Sequence, residues 1–147
     1  MRSRTAEWFL CKIRYEKVME DGLQKKVTEQ YVVDALSFSE AEARITEKMG
    51  EYISGEFDVA EIDRASFKEV FFTDGANDDK WYKSKLQFIT IDERSAKEKK
   101  TSVYYLVQAN SLESARKNID EVMGGTMIDY VICSVSETSI MDVFENI

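Results

Sequence analysis

The residues best suited to chemistry in this chain are two small sets that combine an aromatic ring with cations. Trp8, Lys12 and Arg14 fall in one strand-like run, and Trp81, Lys83 and Lys85 fall in another. A ring beside several cations can hold an anionic, ring-bearing ligand such as a nucleotide, by stacking and by charge. The same residues also suit a structural task. Lysines blunt exposed sheet, and tryptophans pack where two elements meet.

Other chemistry is poorly supplied. There is no histidine, which removes Ser-His and Cys-His nucleophile pairs and histidine-ligated zinc. Cys11 and Cys133 both sit in apolar, strand-like runs and read as buried free thiols. Acidic residues gather in Glu56, Asp58, Glu61 and Asp63, and again in Asp74, Asp78 and Asp79. Calcium takes oxygen ligands of this kind, but the loop from Asp74 lacks the terminal glutamate of an EF-hand, so no metal site is expected. The segments Lys25-Lys-Val-Thr and Lys99-Lys-Thr-Ser lack the glycines of a phosphate loop. No cofactor and no catalytic residue follow from the sequence.

The elements that position these residues occur twice. With Trp8 laid on Trp81, the halves align at an offset of 73 or 74. Lys12, Tyr31, Val33, Ala41, Ile45, Met49 and Gly50 meet Lys85, Tyr105, Val107, Ala115, Ile119, Met123 and Gly124. Self-similarity at a fixed period marks a repeat architecture. In the first copy, Phe9, Cys11, Ile13 and Tyr15 alternate with Trp8, Leu10, Lys12 and Arg14, as in a half-buried strand. Asp21-Gly22 makes a hairpin turn, and Lys26–Leu36 forms the return strand. Ser37 is the expected N-cap of a helix, with Glu40 completing a capping box. Ala41, Ile45 and Met49 form its buried stripe. A charged third strand runs from Glu56 to about Phe72, with a bulge or break expected near Asp63–Ser66. After a polar linker the pattern recurs, with Ser111 capping a helix that carries Ala115, Ile119 and Met123. Gly124-Gly125 stops that helix. Met1–Arg4 is a basic arm with no expected structure.

The fold class expected is α+β: tandem β-β-α-β repeats forming an antiparallel sheet with the helices on one face. Residues 1–72 form the first repeat, 73–80 the linker and 81–147 the second repeat, within one compact domain. A unit of about 65 residues makes a marginal core alone, so two copies are expected to share one.

The runs Trp8-Phe-Leu-Cys-Lys-Ile-Arg-Tyr-Glu-Lys, Ile53-Ser-Gly-Glu-Phe, Lys99-Lys-Thr-Ser, Leu106-Val-Gln-Ala and Ile140-Met-Asp-Val-Phe resemble a conserved family of unknown function from Bacteroidetes and their phages. The resemblance covers nearly the whole chain. It implies a bacterial or phage protein of the cytoplasm and brings no catalytic residue, cofactor or substrate.

Composition bounds the function further. The net charge of −8 argues against wrapping nucleic acid or an anionic membrane. No apolar run approaches a membrane span, and no apolar segment follows the N-terminal arginines as in a signal peptide. The expected function is a non-enzymatic binding or protein-interaction module, self-associating as a homodimer or higher homo-oligomer. Its expected working surface carries Trp8, Lys12, Arg14, Trp81, Lys83 and Lys85. An anionic small molecule or a protein is its partner. The alternative is a phage-related anti-defence protein that binds a nucleotide signal or a host defence protein.

Overall fold

The computed structural model describes residues 1–146. It is α+β, with strands predominating. The elements are β1 (Arg2–Arg4), β2 (Trp8–Val18), β3 (Gln24–Asp34), α1 (Phe38–Tyr52), β4 (Phe57–Ala65), β5 (Phe67–Phe72), β6 (Lys80–Ile91), β7 (Glu98–Ala109), α2 (Leu112–Gly124), β8 (Asp129–Glu137) and β9 (Ile140–Phe144). The long third strand of each half is broken in two. The first break falls at Ser66, within the expected window, and the second at Thr138–Ser139. After β1, the element order is therefore β-β-α-β-β followed by β-β-α-β-β, not β-β-α-β in each half.

Two compact units result, and their boundaries differ from the expected 1–72, 73–80 and 81–147. One unit holds Ala6–Ala65 together with the segment from Ser139 onward. The other holds Met1–Thr5 and Ser66–Thr138. The cause is strand exchange. β9 pairs in parallel with β3, and β5 pairs in parallel with β7. Each half thus sends its last strand into the sheet of the other half. The sheets run β4-β2-β3-β9 and β1-β5-β7-β6-β8. Both are mixed, which corrects the expected antiparallel sheet. A parallel neighbour needs a crossover connection, and an exchanged strand supplies one.

The registers of the two units correspond. The β2·β4 ladder shifts between Lys12 and Ile13, and the β6·β8 ladder shifts between Lys85 and Leu86. The parallel pairs shift at matching places too, between Gln30 and Tyr31 opposite β9, and between Tyr104 and Tyr105 opposite β5.

In the unit built on β2, Phe9, Cys11, Ile13 and Val33 pack under Ala41, Ile45 and Met49 of α1. In the unit built on β6, Leu86, Tyr105 and Val107 pack with Phe71 under Ile119 and Met123 of α2. Both helix stripes lie where the four-residue spacing put them. The caps hold as well. Ser37 Oγ accepts from the Glu40 N–H at 3.1 Å, although the Glu40 carboxylate reaches back to the Leu36 N–H rather than to Ser37. Ser111 and Ser114 form a reciprocal box. α1 runs through Gly50 to Tyr52, and α2 stops at Gly125. Gly22 carries a φ of 83° in the β2–β3 turn, a left-handed conformation that glycine adopts without steric cost.

Two lesser expectations fail. Met1–Arg4 is ordered: β1 pairs with β5, and Arg2 stacks over the Phe72 ring at 4.2 Å. Cys133 is exposed rather than buried. It is the residue skipped by the ladder shift on β8, where Leu86 pairs with Ile132 and Lys85 with Ser134. A bulge re-aims the side chain of its extra residue.

Candidate functional site

The six residues of the expected surface separate into three kinds. Trp8 and Trp81 are 2% and 3% exposed, so they present no ring to a ligand or a second molecule. This corrects the premise that they stand on open sheet. Lys12 and Arg14 stand two apart on β2. Lys12 is bound across the strands to Glu61, at 3.0 Å. That lysine, with Asp63, holds the Glu61 carboxyl below its ordinary range. Lys83 and Lys85 stand two apart on β6. The Lys83 ammonium lies 5.0 Å from the centre of the Tyr104 ring, and Lys85 is half-buried beside Tyr104 and Ser134 in register.

Arg14 leads to a concavity in the unit built on β2. An open cleft of about 520 Å³ lies between the β2–β3 hairpin and the loop that follows α1. That size falls in the range of small-molecule sites. Arg14 and Lys26 bring two cations to it, and Tyr15 and Phe57 bring rings. Ser54 and Gly55 line one side. Glu16, Glu56 and Asp58 add three carboxylates.

Behind Tyr15 lies a polar cluster on the inward face of the sheet. The Tyr15 hydroxyl donates to Glu29 Oε1 at 2.7 Å, and the Tyr31 hydroxyl donates to the same oxygen at 3.2 Å. Lys17 Nζ stands 3.7 Å from the other oxygen, and the Glu29 side chain is only 12% exposed. Burial, then the hydrogen bond and charge of Glu29, push the Tyr15 phenol up to about 12. Burial and the Glu29 charge raise Tyr31 as well. Both phenols therefore keep their protons at neutral pH and act as donors, not nucleophiles.

Phe88, Val103 and Tyr105 occupy the aligned positions of the second half, where the Phe88 and Tyr105 rings lie 6.4 Å apart in an apolar core. Gln87 stands where the first half has Arg14. Lys17 has Thr90 as its counterpart. Reading strands by hydrophobic alternation passed over Glu29. Comparing the two aligned halves at inward positions for a polar residue opposite an apolar one would have found it.

A second polar pair sits at the other end of β3. Arg44 Nη1 of α1 donates to the Asp34 carbonyl and, at 2.7 Å, to its carboxylate. A groove of about 180 Å³ beside it is lined by Lys48, Glu51 and Phe144 among others. Phe144 is stacked between Tyr31 and Tyr52, at 5.5 and 6.0 Å. Among the described residues, no three Asp, Glu or Cys side chains converge to hold a metal ion, and no helix is long and apolar enough to cross a membrane.

The family described as Domain of unknown function (DUF4494) matches residues 7–146. The chain belongs to that family. The match spans both halves and all of the cleft, so the cleft and the exchanged strands lie within the DUF4494 domain. No curated protein and no solved structure matches the chain.

Proposed function

We propose that this protein is a non-enzymatic binding module, and that its ligand enters the cleft beside Arg14 and Lys26. The observation that carries the reading is the contrast between copies. Tyr15 and Glu29 carry a hydroxyl and a carboxylate where the second half has Phe88 and Val103, and Arg14 and Lys17 carry charges where it has the neutral Gln87 and Thr90. A part-buried carboxylate such as Glu29 has to be paired by its neighbours, here Tyr15, Tyr31 and Lys17, whereas the apolar Phe88 and Val103 make no such demand, so a cluster kept in the first half alone points to use rather than to folding.

The lining suggests the ligand's chemistry. Two cations face three carboxylates, so a small molecule bearing both an anionic and a cationic group is matched better than a polyanion. That weighs against a nucleotide signal as the ligand, and with it against that form of the anti-defence reading. Tandem duplication of one β-β-α-β-β unit is part of the same proposal, supported by the matching ladder shifts. So is self-association. A bacterial or phage origin and a place in the cytoplasm rest on the sequence resemblance alone.

Native mass spectrometry of protein taken directly from its source cell tests the binding claim. We expect a retained small molecule in the wild type and its loss in Arg14→Ala with Lys26→Ala. A bare chain mass in both, from gently isolated protein, would contradict it.

A further inference from the structure

The last strand of each half completes the sheet of the other half, and β9 takes its ladder, its ring stack and a backbone clamp from the first half. Its ladder partner is β3. Its Phe144 ring lies between Tyr31 and Tyr52 and under Lys48. The backbone N–H of Asn146 is held by the Asp34 carboxylate. Ile140, Val143 and Phe144 are buried. The second half contributes the connection to this strand. That connection is short: Thr138 is pinned by its N–H and its hydroxyl to the Trp81 carbonyl, at 2.9 and 2.8 Å, and exposed Ser139 alone separates it from β9.

We propose that this protein self-associates by exchanging β9 between two copies. The slot beside β3 recognises the sequence of residues 140–146 and not the chain that carries it. A second copy therefore offers the same ladder, the same ring stack and the same N–H to Asp34. Exchange of an identical element is a low-cost route to a dimer because no new interface has to be invented. Within one chain the short joint gives the strand a high effective concentration, so the closed form prevails in dilute solution. Concentration, or strain at Ser139, shifts the balance to the exchanged pair. The proposal gives a mechanism to the self-association named above and rests on that part of the reading alone. The cleft takes no part in it, so binding and exchange can fail separately.

The test uses two full-length variants on a Cys133→Ser background. Val32→Cys places a thiol on the slot, and Val143→Cys places one on its register partner in β9. The two are mixed, unfolded, refolded together and oxidised only after folding, when Cys11 is buried again. We expect a covalent one-to-one heterodimer whose yield rises severalfold with refolding concentration. Light scattering on refolded wild type and on a Ser139 deletion runs in parallel, with a dimer enriched by the deletion as the expected result. This arm decides the matter if a thiol variant does not fold. Folded thiol variants that never cross-link, or wild type and deletion that both stay monomeric at every concentration, would overturn the proposal.

Discussion

The carboxylate of Asp34 accepts a hydrogen bond from the backbone N–H of Asn146, 112 residues along the chain, at 2.7 Å. Its counterpart is Gln108, whose side-chain oxygen accepts from the Thr73 N–H at 3.0 Å. Each clamp follows directly on an exchanged strand. A helix side chain supports each from behind: Arg44 donates to the Asp34 carbonyl, and Asn118 donates to the Gln108 carbonyl at 3.0 Å. Asp34→Ala leaves the Asn146 N–H and the Arg44 guanidinium short of a buried acceptor. The expected cost is about 1–3 kcal/mol, read from urea unfolding. Hydrogen exchange should rise first at residues 140–146, and an unchanged pattern there would show that the clamp does not hold the strand.

The helix stripes provide a second prediction. Ile45 and Ile119 are fully buried at the centres of the two cores. Ile45→Ala and Ile119→Ala should each cost about 2–5 kcal/mol by loss of burial and cavity formation. Denaturant midpoints check this, and a loss under about half a kcal/mol at both would place the stripes outside the cores.

The two thiols should react very differently. Burial pushes the Cys11 thiol up to about 12, and Cys133 is exposed on its bulge. Only the thiolate is nucleophilic. One equivalent of a maleimide reagent should be taken up by native protein, at Cys133, and a second only in denaturant. Labelling of Cys11 at a comparable rate without denaturant would contradict its burial.

Alkaline pH should act on the Tyr15 cluster. The Tyr15 phenol rises from 10.0 to about 12 on folding, chiefly through burial and the Glu29 hydrogen bond. The folded chain therefore holds this proton more tightly than the unfolded chain. Its contribution to stability is full below pH about 10 and is lost as pH rises through about 12. Denaturant midpoints should fall across that window in the wild type, and fall less in Tyr15→Phe. Equal slopes in both proteins would show that Tyr15 carries no such linkage.

Much of the fold was legible in the sequence because local rules govern it. Ile45 and Ile119 announced buried faces by their spacing, Ser37 and Ser111 announced helix starts, and Asp21-Gly22 announced a turn. The partners of β5 and β9 were not legible. Alternation along Ile140–Phe144 shows that the segment is a strand, but the same alternation suits any sheet of the right width. Trp8 and Trp81 misled for a related reason: they alternate with the helix-covered residues, and alternation does not say whether the opposite face meets water. The cleft was half legible. Arg14 was singled out, whereas Tyr15 was read with the Phe9, Cys11 and Ile13 face and Glu29 was passed over.

The most direct test of the central claim, that the polar residues of the first half serve binding rather than folding, is the stability of one triple variant. Arg14→Gln, Tyr15→Phe and Glu29→Val install the residues of the second copy at these positions. Removing both partners of a buried hydrogen bond together is close to neutral, and Tyr105 shows that the remaining tyrosine is accommodated beside a valine. Urea unfolding should therefore give a stability within about 1 kcal/mol of the wild type, or above it. A loss of about 3 kcal/mol or more would mean that the cluster holds the fold together, and would remove the ground for assigning it to a ligand.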